Sequence, residues 1–246
     1  MDGFTETGGG RNAAAEPGEM SVAEVRGLLG GGTRAVFLLR HAERAHIDNE
    51  DPTFGADLPL TGEGERTAEA LGRMLAGVPG PVRFAASPLA RTVRTAGLVA
   101  RGMGLDGAPV ALDSAVGNDS AFVSDITEMW RQFRDGRFFE KMRRWFDDGR
   151  LPGFNELGPA CDAYEDHAVA LLGDAATGVF ATHDVFIAAF LHGRGVKTDF
   201  REENWPRFLD SAAIFLMPDG TRRYALVRAG LSRHCRGVAP DGTLGA

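Results

Sequence analysis

The sequence predicts an α/β fold, a three-layer α/β/α sandwich with a mostly parallel central sheet and a small helical insertion. Short continuous apolar runs, of the kind that fill strands buried on both faces, alternate with segments whose apolar residues recur at helical spacing. The alternation ends in two strand-like runs around a turn signal, which adds an antiparallel piece to the sheet. At 246 residues, one domain of this class accounts for the length.

The first 32 residues hold nine glycines and end in Gly30-Gly31-Gly32. Residues 1–32 are expected to form a flexible tail with a short helix, and 33–246 the domain. Residues 1–20 read as the mobile part. Ser21-Val-Ala-Glu24 fits a capping box, so a helix is expected to reach about Leu29. The triple glycine reads as a linker, because it precedes a strand and no Gly-Lys-Ser/Thr follows it. Ala35–Leu39 is the first buried strand. Thr61 opens a helix with Ala68, Leu71, Leu75 and Val78 on one face, stopped by Gly77, Pro79 and Gly80. Val82–Ala86 is the second strand. A helix follows from about Pro88 to Arg101, with Leu89, Val93, Ala96 and Ala100 on one face. Pro109–Leu112 and Gly178–Thr182 are the third and fourth strands, and the fourth leads into a helix over Val185–Leu191. Ser211–Met217 and Arg223–Val227 flank the turn Pro218-Asp-Gly-Thr221. Residues 117–158 interrupt the alternation before a helix near 160–173. This stretch holds six of the 16 Phe and two of the three Trp, with charges interleaved at helical spacing. It reads as two or three amphipathic helices, acting as a lid with Phe122 and Trp130 as first substrate contacts, or packed as a small satellite core.

Composition excludes several classes. Apolar residues make up 43%, too many for disorder throughout. No run of 18 apolar residues occurs, so no membrane span is expected. Residues 1–20 carry Asp2, Glu6, Arg11, Glu16 and Glu19 and no apolar stretch, unlike a secretory signal. Two cysteines, Cys161 and Cys235, provide neither a disulfide framework nor a four-thiolate zinc site, and a reducing cytoplasm suits them. A net charge of -7 argues against a general nucleic-acid partner.

Three strand ends carry chemistry. Leu39-Arg40-His41-Ala42-Glu43-Arg44 closes the first strand, and in open parallel sheets the ligand crevice lies outside the carboxyl ends. Two guanidiniums beside an imidazole suit a phosphate, and they disfavour imidazolium, which keeps the ring nucleophilic. Ser87-Pro88-Leu89-Ala90-Arg91 closes the second strand and puts Arg91 in a first helical turn, with Arg94 one turn further. Thr182-His183-Asp184 closes the fourth. Taken singly, each has an ordinary reading: a charged surface loop, solvated helix charges, a core-edge histidine with Asp184 as an N-cap. Together they deliver cations and imidazoles to one edge of one sheet.

At this point the sequence resembles the histidine phosphatase superfamily, over about residues 34–230. Arg40-His41-x-x-Arg44 is similar to the Arg-His-Gly motif in its acid-phosphatase form, with Ala42 for the glycine and His46 for a proline. Asp57-x-Pro59-Leu60-Thr61-x-x-Gly64 resembles the segment before the family's first helix. Ser87-Pro88-Leu89-x-Arg91-x-x-x-Thr95-Ala96 matches the second-strand motif, and Thr182-His183-Asp184 the His-Asp pair of the acid-phosphatase branch. The resemblance implies that His41 is the nucleophile, that Arg40, Arg44, Arg91 and His183 surround the phosphoryl group, and that Asp184 is the general acid. Asp119 and Glu128 are the alternative acids, by analogy with the mutase-like branch. It implies a phosphomonoesterase acting on a small phosphate ester, with no cofactor and no metal. Two alternatives are a mutase-like phosphotransferase and a phospho-ligand binding module without turnover.

Overall fold

The computed structural model describes residues 18–47, 51, 53, 55–134 and 136–232. Its central strand shows why the apolar runs are continuous. Ala35, Phe37 and Leu39 pack into one core, Val36 and Leu38 into another on the opposite side of the sheet.

The strands are β1 (Gly18–Ser21), β2 (Arg34–Arg40), β3 (Val82–Ala86), β4 (Val110–Leu112), β5 (Thr177–Thr182), β6 (Ser211–Leu216) and β7 (Arg222–Arg228). They pair in the order β1-β7-β6-β2-β5-β3-β4. The contacts of β2 with β5, β5 with β3 and β3 with β4 are parallel, and the β6–β7 hairpin joins β2 antiparallel. Helices α1 (Val22–Leu29), α2 (Gly62–Leu75) and α3 (Ala90–Gly102) bury their apolar faces on one side. On the other lie α4 (Ile126–Phe133), α5 (Phe138–Asp148), α6 (Leu157–Leu172) and α7 (Asp184–Gly193). This is the expected three-layer α/β/α sandwich. No helix among the described residues is long and apolar enough to cross a membrane.

The expected capping box forms at Ser21 and Glu24. Two expectations change. Residues 18–20, read as part of the tail, belong to β1, which runs parallel to β7 and is tied to it by Arg228 and Glu19 (2.9 Å). This strand has no apolar pattern of its own, and its pairing depends on a partner some 200 residues away. The aromatic stretch does not form a satellite either. Phe122, Trp145, Phe146 and Phe154 belong to the same core as Phe180 and Phe186. The thiol of Cys161 is buried and pushed up to about 12 by that burial; Cys235 lies outside the described residues.

Helices α2 and α3 cross through glycine. A Cβ on Gly72 would lie 2.2 Å from the Val99 carbonyl oxygen and 2.8 Å from the Gly102 Cα. The backbones therefore touch near the C-terminal end of α3. Gly72→Ala is expected to lower unfolding stability in urea by about 1–3 kcal/mol, as over-packing does. Gly97→Ala, where no atom lies within 4 Å of the added methyl, is expected to stabilise by up to about 1 kcal/mol.

Candidate active site

The sheet register places the site. Arg40 is opposite Thr182 and Ala86 opposite Ala181, so β2, β5 and β3 end side by side. Three amides extend the ladders past the strands: His41 N–H donates to the Thr182 carbonyl, Ser87 N–H to Ala181 and Arg40 N–H to Asp210. His41 and Ser87, the residues that follow β2 and β3, are thus held against β5, and the His41 and His183 rings meet edge to face at 5.5 Å.

Both rings are buried. His41 Nδ1 lies 2.8 Å from the carbonyl oxygen of Ala42. A carbonyl only accepts, so Nδ1 carries the hydrogen and Nε2 keeps its lone pair. Burial holds the His41 pKa well below its ordinary value, helped by Arg91, His183, Arg44 and Arg40. His183 is lowered for the same reason, with Arg91, Arg44 and Arg40 adding to burial. Its Nε2 lies 3.1 Å from Ser87 Oγ, which also meets Thr92 Oγ1 at 3.0 Å. Ala42, standing where the family has glycine, is fully buried and turns its methyl into the core below the sheet. Its N–H donates to Thr95 Oγ1 (3.0 Å), which pins the loop to α3.

The three arginines are anchored through carbonyls. Arg40 donates to Pro206 (2.5 Å), Arg44 to Ala45 (2.7 Å), and Arg91 to Gly55 (2.5 Å) and Ala56 (3.3 Å). Arg40 also lies over the Phe208 ring, 4.2 Å from its centroid, and Phe208 reaches the His41 ring at 5.6 Å. Burial and mutual repulsion push Arg44 down to about 9 and Arg91 down to about 10. The Nε atoms of both are buried without a hydrogen-bond partner among the described residues. Buried donors left over in a cluster of like charge fit a multi-oxygen anion.

The carboxylates divide sharply. Asp184 is the first residue of α7, with His183 at the N-cap, so it is not itself the cap. Its Oδ2 accepts from Arg40 (3.0 Å) and Trp205 Nε1 (3.1 Å), and its side chain keeps 26% exposure. Asp119 is exposed on the turn after β4. Glu128 is taken up by Arg131 and Gln132 of its own helix. Arg94 makes a surface ion pair with Glu65 (2.8 Å), away from the cluster. Phe122 needs correction as a substrate contact. It is fully buried on the turn before α4, stacked on Phe186 and edged by Trp145. Trp130 is half-buried against Phe133. Sequence reasoning missed Trp205, Phe208 and Asp210, which come from the irregular loop before β6.

Fold and site together define the class of α/β proteins that gather histidine and arginine at the carboxyl ends of parallel strands. The chain belongs to the histidine phosphatase superfamily, whose branch 1 family model matches residues 36–194. Similar solved structures include YhfR of Bacillus stearothermophilus (16% identity, TM-score 0.54, covering 80% of this chain and 99% of that one). A variant of the phosphoserine phosphatase of Entamoeba histolytica, in complex with phosphoserine, is similar at 15% identity and TM-score 0.52 (77% and 94%). Phosphoglycerate mutase from Bacillus anthracis is similar at 14% identity and TM-score 0.51 (78% and 91%). At these identities the likeness is one of fold. A sequence search of the curated proteins finds no match.

The lowered histidines make stability depend on pH. In the unfolded chain each takes up a proton near pH 6.5, whereas the folded protein resists it. Below about pH 6.5 the unfolded state therefore binds more protons, and stability falls with falling pH. The slope is expected to approach roughly 1.4 kcal/mol per pH unit for each histidine. Urea unfolding between about pH 5 and 7 measures it, and saturating phosphate should flatten it by offsetting the positive cluster. A flat profile without phosphate would contradict the burial of neutral rings.

Proposed function

We infer that the protein is a phosphomonoesterase that works through a phosphohistidine on His41. The observation that carries this reading is a buried imidazole, its Nδ1 committed to the Ala42 carbonyl, enclosed by buried Arg40 and Arg91 and half-buried Arg44. Arg40, Arg44 and Arg91 bind the non-bridging oxygens of the ester. Burial lowers the His183 pKa, with Arg91, Arg44 and Arg40 adding to it; the incoming dianion offsets that positive charge and so favours the ring as a donor to the phosphoryl group. His41 Nε2 attacks phosphorus as the bond to the ester oxygen breaks, and Asp184 gives that oxygen its proton, releasing the alcohol. The Asp184 carboxylate then takes a proton from water. The water oxygen attacks phosphorus, the N–P bond breaks, and phosphate leaves with His41 neutral again.

Asp184 is preferred over Asp119 and Glu128 because it alone is ion-paired with a member of the arginine cluster. The substrate is a small phosphate ester, and the charge the reaction develops is met by side chains of this chain, without a metal or cofactor in the scheme. No role in binding nucleic acid or membranes is proposed, and the proposed location is the cytoplasm.

The first test is hydrolysis of p-nitrophenyl phosphate without added metal. Phosphate release and an acid-labile, base-stable label on the protein are expected. His41→Ala should abolish the label and lower kcat by about 10³-fold or more. Phosphate bound tightly without release would favour a binding module, and isomerisation of a phosphorylated polyol without free phosphate a mutase. A second expectation concerns leaving groups. An alkyl alkoxide needs a proton as it departs, p-nitrophenolate hardly does. Asp184→Asn should therefore impair alkyl phosphates far more than the aryl ester, and equal losses would remove Asp184 from the role. A third concerns the arginines. Arg91→Ala should cost about 2–4 kcal/mol of transition-state stabilisation, the scale of an oxyanion donor, and Arg94→Ala very little.

A further inference from the structure

The loop between α7 and β6 supplies none of the charged groups of the phosphate site, yet one of its side chains grips the proton donor. Trp205 is 2% exposed, and its Nε1–H donates to Asp184 Oδ2 at 3.1 Å. The same oxygen accepts from Arg40 at 3.0 Å. The other oxygen, Oδ1, takes only the amide of Val185 among the described residues, at 3.0 Å. An oxygen receiving two N–H donors is a poor place for a proton, whereas Oδ1 keeps a free lone pair. The carboxyl is thus oriented, and its labile proton is directed to one atom.

The indole is itself held. Phe138 and Phe139 of α5 meet it edge to face, each at 5.3 Å between ring centroids. Phe146 lies parallel to it at 6.3 Å and Phe200 meets it at 5.5 Å. Four aromatic rings leave the indole little freedom to turn its N–H away. The aromatic insertion, expected to contact substrate, reaches the site here through the back of Trp205.

We propose that Trp205 is a positioning residue: its indole N–H fixes Oδ2 of Asp184, so that the proton for the leaving group is delivered from Oδ1, with the insertion helix α5 locking the indole in place. This rests on the phosphatase reading above. Positioning of this kind is selective. It matters for a leaving group that needs a proton and matters little for phosphate binding, which belongs to the arginines.

Trp205→Phe removes the N–H and keeps a ring in the aromatic pocket, so it is preferred to Trp205→Ala, which would empty that pocket. In the purified full chain, the ratio of kcat for an alkyl phosphate to kcat for p-nitrophenyl phosphate is expected to fall about tenfold or more, the scale of one hydrogen bond to a charged group. Inhibition by inorganic phosphate should persist. In an Asp184→Asn background the same substitution should not lower the ratio further, because both changes act on one proton. A measurement independent of turnover accompanies these. The chain has three tryptophans, so its indole N–H groups give three proton–nitrogen NMR signals. The signal lost in Trp205→Phe should move in Asp184→Asn. An unchanged ratio in Trp205→Phe, or an indole signal indifferent to Asp184→Asn, overturns the positioning role while leaving the phosphatase reading intact. A wild-type protein that hydrolyses neither ester overturns the phosphatase reading itself, and the positioning role with it.

Discussion

Three guanidiniums and two imidazoles crowded at the ends of three buried strands are the constraint from which the rest of this molecule follows. Like charges in a poorly solvated pocket repel, and the depressed Arg44 and Arg91 register that cost. A flexible scaffold would relieve it by letting the side chains swing into water. Here they cannot, because Arg40 and His41 are pinned by backbone bonds to Asp210 and Thr182, and each guanidinium is tied to at least one carbonyl. Asp184 is the counter-charge, and its pairing with Arg40 ties a carboxylate into the guanidinium cluster. The backbone thus does the holding, and the side chains keep their repulsion for an anion to relieve.

Much of this was legible in the sequence, for a physical reason. The strands of a parallel sheet buried on both faces are continuous apolar runs, so Ala35–Leu39 and Gly178–Thr182 stand out, and the residues that follow a run must emerge at the sheet's edge. Arg40, His41, Arg44, Arg91 and His183 were found in that way. The glycine at position 64 also has its explanation in the same region: a Cβ there would lie 2.2 Å from the Glu43 carbonyl oxygen, so α2 can seat itself against the loop after His41 only without a side chain.

What was not legible came from places where pattern carries no direction. An aromatic residue in an amphipathic stretch can face a ligand or a core with the same spacing, and only packing decides that Phe122 faces Phe186. Strand β1 is four residues long and identifiable only by its partner. Trp205, Phe208 and Asp210 lie in a loop with no periodicity, and Phe208 and Asp210 are more than 160 residues from the His41 ring and the Arg40 amide that they meet. Their roles exist only once β6 has been laid antiparallel against β2, which brings the loop under Arg40.

That loop also carries the sign of a conformation imposed from outside. Leu209 adopts a φ of 68°, in the left-handed region that a branched side chain disfavours. Such a residue costs on the order of 1–3 kcal/mol and persists only where its surroundings over-determine it. They do so here. Its own side chain is buried, Phe208 before it lies against Arg40, and Asp210 after it receives the Arg207 and Ala229 amides and the Arg228 guanidinium. Asp210 is itself pushed up by burial, a tendency that Arg228 opposes. Relaxing Leu209 to an ordinary φ would turn either Phe208 off the guanidinium or the Asp210 carbonyl off the Arg40 amide. The strain at this one residue is therefore the cost of running a chain close enough to the cluster to hold it, and the Arg228–Asp210 pair is the anchor that keeps it there.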